Sequence, residues 1–425
     1  MADYFSMDKN ALLQEQAALQ KEYDAFAAKG LKLDMSRGKP APDQLDLSMP
    51  LLKMDDYMDE DGTDVRNYGA LEGCTEARRF FAEILGTTIE ETFVAGNSSL
   101  NMMYNMLDLG WRHGFPESPK PWKDCDTIKF LCPSPGYDRH FRVSESFGFE
   151  LLMVPMLPTG PDMDVVEELV RDEAVKGIWS IPVYSNPDGY VYSDETVQRL
   201  AKMDAAAPDF RIFWDNAYGV HHLTEVAYAC PNLLLACRAA GHENRALMFC
   251  STSKVTFSGG GVGAMGASVQ NVAAAAEYLF PMTICYDKIN QLRHVRFLRK
   301  VGLENHMEKH AQMLRPKFGV VVDELHRQLD ACGTIARWTE PKGGYFLSLF
   351  VPDGCAKRVV ALCKQAGVVL TGAGAAFPYG VDPNDSHIRI APTYPPIEEL
   401  KTAAQLLCIA TRLASVEKLL AAQPA

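Results

Sequence analysis

Apolar and polar positions change rhythm several times along this chain, and each rhythm predicts a different element. Over the first thirty residues apolar side chains recur at helical spacing, with Leu12, Leu13, Leu19 and Phe26 as inward positions and Gly30 marking the end. From Leu31 to Pro50 turn formers take over, in SRGKP and APDQ, which predicts a linker wrapped over the surface of a larger domain. Between about residues 65 and 270 short apolar runs alternate with helical stretches. Glu91–Ala95, Thr127–Cys132, Leu151–Pro155, Gly177–Pro182, Arg211–Trp214 and Ala246–Cys250 read as buried strands, with Ser98–Leu109 and Met163–Val170 among the helices between them. Such alternation predicts an α/β fold, a mostly parallel sheet with helices on both faces. Residues 286–330 read as one or two long helices. Beyond them GGYFLSLFV, VVLTGAG and HIRIAPT are each followed by helical sequence, as in a smaller α+β domain. The expected division is residues 1–50 belonging with the small domain, a large domain over 51–300, and the small domain over 301–425.

A length of 425 residues is ample for two domains. The net charge of −12 argues against a nucleic-acid partner, and means that an anionic ligand needs locally concentrated positive charge. Eleven cysteines lie scattered without CxxC pairs, and no metal site is expected. The start, MADYFSMDKNALLQEQ, has early acids and no apolar core of signal length, so a reducing cytoplasm is the expected location. No apolar run approaches the length of a membrane span, so no membrane partner is expected.

In open α/β sheets ligands bind beyond the carboxyl ends of the strands. Five predicted strands end in polar segments, AGNSS, PSPGYDRH, YSNPDG, DNAY and STSK, which would meet on one rim. Lys254, in STSKVTFSGGG just past an apolar strand, is poorly placed for a solvated lysine. A desolvated amine near positive charge becomes a nucleophile toward aldehydes, so Lys254 is the candidate for a Schiff base, against a loop lysine reaching water. Asp215, ending FRIFWD, is a buried carboxylate that needs a partner; a protonated pyridine nitrogen is one, and capping the next turn is the alternative. Tyr218 and Asn186 can both aim at a phenolic oxygen of the same ring, Asn186 against a plain Asn-Pro turn. Asn97, Ser98 and Ser99 open a helix whose free N–H groups and hydroxyls favour phosphate, against an ordinary N-cap. Ser251 and Ser253 add hydroxyls beside Lys254. Tyr137 can lie on the face of a flat ring, and His140 can support that stack or orient a neighbour. Arg389, in HIRIAPT, can grip a carboxylate with two hydrogen bonds, against a structural salt bridge.

As a set, GNSS, PGYDRH, SNPDG, DNAY, STSK and HIRIAPT resemble the motifs of class I, fold-type-I aminotransferases that use pyridoxal 5'-phosphate (PLP). SRGKP and NYGALEG fit the same pattern, over about residues 30 to 400. Spacing agrees: Asp215 precedes Tyr218 by three residues and Lys254 by thirty-nine. More narrowly, the chain resembles the MocR-type aminotransferases, some of them regarded as aspartate aminotransferases. The resemblance implies a large domain built on a mostly parallel seven-stranded sheet, with PLP as cofactor. It implies ping-pong transfer between an amino acid and a 2-oxo acid, and a homodimer with its active sites at the subunit interface. It implies that Tyr68 of NYGALEG reaches the phosphate in the neighbouring subunit, and that Gly38 lets the backbone approach the substrate carboxylate.

One position departs from the pattern. Many relatives carry a phosphate-binding arginine eight residues beyond the lysine, where this chain has Val262, and the glycine N–H groups of SGGGVGAMG are the expected replacement. A dicarboxylic donor such as aspartate or glutamate also needs a second cation. Arg37, Lys39, Arg139 and Arg296 are candidates, and spacing does not choose among them. A PLP-dependent β-lyase fits the same residues. A non-catalytic PLP-binding protein is a further alternative, against which Lys254, Asp215, Tyr218 and Arg389 all stand intact.

Overall fold

The computed structural model describes residues 3–423. Helix α1 (Lys9–Ala27) starts at Asp8, whose carboxylate accepts the Ala11 N–H, and it buries Leu12, Leu19 and Tyr23. Leu13 is 47% exposed, because it sits about 100° around the helix from that stripe. The segment from Leu31 to Pro50 is not a surface linker. It forms β1 (Leu33–Asp34) and α2 (Pro42–Asp46) and buries Met35, Ala41, Gln44 and Ser48. Its turn formers supply bends, while parallel pairing of β1 with Val368–Val369 satisfies backbone groups that would otherwise need water.

The predicted alternation is built after α3 (Thr75–Leu85). In chain order it runs β2 (Thr92–Val94), α4 (Ser99–Arg112), β3 (Lys129–Ser134), α5 (Asp138–Ser146), β4 (Glu150–Leu157), β5 (Gly160–Pro161), α6 (Met163–Leu169) and β6 (Val175–Ser180). It continues with α7 (Asp194–Lys202), β7 (Arg211–Asp215), α8 (Leu233–Ala239), β8 (Ala246–Ser251) and β9 (Gly263–Ala267). The sheet order is β2-β9-β8-β7-β6-β3-β4-β5. Strands β8, β7, β6, β3 and β4 are mutually parallel. Strand β9 runs against both neighbours, so β2 points the same way as β8.

This sheet has eight strands, not seven. The extra one is β5, two residues folded back onto the edge of β4 with Leu157 opposite Gly160. Side chains alternate between two cores, Phe130, Trp179, Phe213 and Phe249 on one face and Ile178, Ile212, Trp214 and Met248 on the other. Covering on both faces is why these strands read as continuous apolar runs. Strand β9, sequence GAMGA, carries no such signal. Its glycine is steric: a Cβ on Gly263 would stand 2.8 Å from the Ser98 carbonyl carbon at the start of α4.

Helices α9 (Val269–Leu279), α10 (Lys288–Val301) and α11 (Leu303–Leu329) follow. Met307 of α11 packs in the large-domain core, whereas Leu314 to Leu329 pack in a third core. That core holds β10 (Arg337–Trp338), β11 (Leu347–Phe350), α12 (Ala356–Gln365), β12 (Val368–Val369), β13 (His387–Ile390) and α13 (Ile397–Ala422), with α1 laid against α13. Strands β10, β11 and β13 form an antiparallel sheet. Strand β13 buries all four of its side chains, and α12 packs against it. Among the described residues the cysteines are free, and no helix is long and apolar enough to cross a membrane.

Candidate active site

Because β2, β3, β6, β7 and β8 point the same way, their polar ends meet on one rim of the sheet, as the pattern predicts. Strand β7 ends in Asp215, which is 3% exposed. His140, from the first turn of α5, donates from Nε2 to Asp215 Oδ2 at 3.0 Å. The His140 ring lies flat on Trp179, with centroids 4.3 Å apart and planes 11° apart, so the imidazole cannot swing away. Asp215 Oδ1 is buried and has no partner among the described residues. A buried carboxylate oxygen in that condition is costly unless something cationic or protonated meets it.

Lys254 follows β8 in a turn closed by Val255 and Thr256 N–H groups on the Thr252 carbonyl. Its Nζ stands 4.8 Å from the centroid of the Tyr218 ring. Tyr218 is buried, and burial first, then the Asp215 charge, push its phenol pKa up, so the hydroxyl keeps its proton; Asn186 hydrogen-bonds it. Tyr137 meets His140 edge-on at 4.9 Å. Burial raises its phenol to about 12, and the nearby Lys254 charge works the other way.

Ser253 Oγ donates to the Asn97 carbonyl at 3.4 Å and Ser251 Oγ to Ser253 Oγ at 3.2 Å, which joins the ends of β2 and β8. Ser98 caps α4 by accepting the Asn101 N–H at 3.2 Å, the plainer of its two readings. The first amides of a helix lack intrahelical partners, and Asn97, Ser98 and Ser99 stand at that end of α4. Val262 is turned into the core, 1% exposed. In the glycine run the N–H groups of Gly260, Val262 and Gly263 bind Phe257 O, Thr252 Oγ1 and Gly96 O.

Arg389, on β13, faces the same space. Its Nη1 donates to Asp138 Oδ1 at 3.1 Å and to Asn186 Oδ1 at 3.4 Å, so the salt bridge weighed as its alternative role is present. Among the described residues Nε and Nη2 reach only Thr371 Oγ1, both at 3.4 Å. The guanidinium carbon lies 5.0 Å from the Phe346 ring centroid, and Gly38 packs on that ring so closely that a Cβ would fall 2.4 Å from Phe346 Cζ. Arg37 and Arg139 are exposed, and Lys39 Nζ lies 3.9 Å over the Tyr394 ring. Arg296 leaves the set of candidate cations, held by Glu76, Asp56 and the Met58 carbonyl. Tyr68 is 76% exposed. Trp179, Asp138 and Thr371 were not foreseen as part of the site. Asp138 lay inside a recognised motif; Trp179 and Thr371 carry no sequence signal.

An aldehyde-bearing pyridine ring is what a lysine beside a tyrosine face and an orphaned carboxylate oxygen can hold together, so fold and site define a PLP-dependent enzyme of fold type I. Comparison with known proteins agrees. The profile of the aspartate amino-transferase family matches residues 7–423, and the chain belongs to that family. A Mycolicibacterium smegmatis protein with an aminotransferase name is 47% identical, covering 98% of both chains. An aspartate aminotransferase of Corynebacterium glutamicum is 42% identical, covering 97% of this chain and 96% of that one. A crystal structure of an aspartate transaminase from C. glutamicum superposes with a TM-score of 0.96 at 41% identity, covering 98% and 99%. The α-aminoadipate aminotransferase of Thermus thermophilus, bound to a phosphopyridoxyl-leucine adduct, shares the fold at 21% identity and TM-score 0.73, covering 93% and 95%. This chain is accordingly a PLP-dependent aminotransferase.

Proposed function

We propose that the protein is a homodimer that moves the amino group of a dicarboxylic amino acid, aspartate or glutamate, to a 2-oxo acid in ping-pong fashion. The observation that carries this reading is the buried, unpartnered Oδ1 of Asp215, with Oδ2 tied to His140. The C. glutamicum aspartate aminotransferase, similar over nearly the whole length, supports the donor class.

Bound PLP supplies an aldehyde for the amine and a protonated ring that takes up charge as the substrate Cα–H bond breaks. Lys254 would be the attachment point, and its freed amine the base that holds the proton taken from the substrate Cα. Asp215 would meet the ring nitrogen through Oδ1, since His140 holds Oδ2. Tyr218 and Asn186 donate to the ring's phenolic oxygen, which the raised Tyr218 pKa permits at neutral pH. Tyr137 covers a face of the ring. Asn97, Ser98, Ser99, Ser251 and Ser253 bind the phosphate, with Tyr68 of the partner subunit. Arg389 takes the α-carboxylate through Nη2 while Nη1 stays on Asp138, beside the Gly38 backbone. Arg37, Lys39 and Arg139 flank this end and are the cations left for a distal carboxylate.

A donor panel tests the reading. Purified protein is mixed with each common amino acid, and conversion of the visible cofactor band to its pyridoxamine form is followed, then amino transfer to 2-oxoglutarate. Conversion by aspartate and glutamate is expected. Pyruvate and ammonia without transfer would make the enzyme a β-lyase, and no conversion by any donor would leave a PLP-binding protein without turnover.

A further inference from the structure

Beneath the lysine-bearing turn lies a buried polar cluster that the roles above leave unused. Gln44, Thr256, His294, His306, His310 and Tyr345 are all at most 2% exposed. Burying a polar group unpaired costs about 1–3 kcal/mol, so such a cluster persists only where its bonds are made. They are made to three consecutive residues. The Tyr345 hydroxyl donates to the Lys254 carbonyl at 3.4 Å. His306 Nε2 donates to the Val255 carbonyl at 2.8 Å, and His310, one turn further along α11, bonds the same oxygen. The two Nε2 atoms lie 3.2 Å apart as they converge on it. One carbonyl oxygen has two lone pairs and can take both. Thr256 Oγ1 meets His294 Nε2 at 2.9 Å.

Gln44 aligns the parts. Its Oε1 accepts the Ala41 N–H at 3.0 Å, which fixes the orientation of the amide. Its NH2 group therefore donates to His310 Nδ1 at 3.0 Å and to the Tyr345 hydroxyl at 3.3 Å. His310 is thus an acceptor at Nδ1 and a donor at Nε2, a neutral tautomer, in keeping with the burial that lowers its pKa to about 4. Lys254 is followed within five residues by the run SGGGVGAMG, and its amine stands 4.8 Å from the Tyr218 ring centroid with no hydrogen bond among the described residues.

We propose that Tyr345, His306 and His310, aligned by Gln44, are positioning residues that hold the Lys254–Val255 backbone and so aim the Lys254 amine at the proton it transfers. This rests on the proposed role of Lys254 as proton carrier.

The test uses the holoprotein with Tyr345→Phe, His306→Leu and, as a variant that keeps an N–H donor, His306→Gln. Single-turnover half-reactions are run with α-protio and α-deuterio aspartate. In the cofactor-free protein the rate at which trinitrobenzenesulfonate labels Lys254 is read by peptide mass spectrometry, alongside a thermal melt. Expected for Tyr345→Phe and His306→Leu is proton transfer slowed roughly 10- to 100-fold, a larger deuterium effect and an altered labelling rate, with donor KM within about twofold of the parent. His306→Gln recovers most of the loss. An unchanged deuterium effect and labelling rate in both, or a fall that only follows the loss of folded protein, overturns the clamp. If borohydride reduction of the parent leaves no pyridoxyl group on Lys254, the functional reading fails and the clamp with it. If that group is present and the variants behave as the parent, the clamp alone fails.

Discussion

Replacing Gly38 with alanine tests whether packing under Arg389 sets the substrate end of the site. An alanine Cβ at this position stands 2.4 Å from Phe346 Cζ and 2.7 Å from Cε1. Ordinary carbon contact begins near 3.5 Å, so the loop or the ring must give by about 1 Å. The backbone itself raises no objection, since Gly38 is not among the glycines with positive φ. Phe346 is buried and carries the Arg389 guanidinium 5.0 Å from its centroid, so a displaced ring shifts the guanidinium or withdraws its support. Overpacking of this kind costs about 1–3 kcal/mol, enough to lower the melting temperature measurably. A shift of about 1 Å in a substrate-positioning group lowers kcat/KM by up to roughly 100-fold. The expected result for Gly38→Ala is a donor KM raised at least about tenfold, measured by steady-state transfer to 2-oxoglutarate. Adding Phe346→Leu removes the ring atoms in the way and restores most of the donor KM, a non-additive pair. An unchanged KM in Gly38→Ala, or one that Phe346→Leu does not recover, refutes the coupling.

Two further outcomes follow from the structure. Burial raises the Asp188 carboxyl to about 6, against the Ser348 hydroxyl and the Arg337 charge. The folded state therefore favours the protonated form: its contribution is full below the unfolded pKa near 4 and lost as pH rises through about 6, on the order of 3 kcal/mol. Asp188→Asn should melt higher than the parent at pH 7, with the difference shrinking toward pH 4; a gap that does not narrow places the proton elsewhere. For the dimer, Tyr68→Ala weakens the enzyme and Lys254→Ala abolishes turnover, and refolding them together should regain up to about a quarter of the parental activity through mixed dimers. No gain over Tyr68→Ala alone means that Tyr68 does not serve the neighbouring site.

Much of the large domain was legible because its strands are covered on both faces. IFW and ALMFC are continuous apolar runs, and each delivers a candidate site residue, Asp215 or Lys254, one to four positions past the run's last apolar side chain. Strand β9 was not legible, since Gly263 and Gly266 replace apolar side chains where α4 and α3 come close. The reading of Leu31–Pro50 as surface linker failed for another reason. Turn formers report bends, and a bent segment can be buried when its backbone pairs, as β1 does with β12. Arg296 shows the limit of counting cations: sequence records the charge, while Glu76 and Asp56, distant in the chain, decide that it is already used.

Residues that react and residues that aim them differ in how they show in a sequence. A candidate reactive group stands where polar chemistry interrupts an apolar run, so Asp215 and Lys254 were conspicuous. The groups proposed to aim them occupy core positions inside regular elements. His306 and His310 keep the four-residue spacing of α11 and sit on the same buried side as Met307 and Leu314, so helical periodicity absorbs them as ordinary interior positions. Trp179 is one more apolar residue of β6, although it is the surface against which His140 is held on Asp215. What separates these residues from plain core is the partner across the gap: the Val255 carbonyl, or a histidine ring that must not turn. Such partners lie 39 to 55 residues away, a pairing that local periodicity does not encode and the fold alone creates.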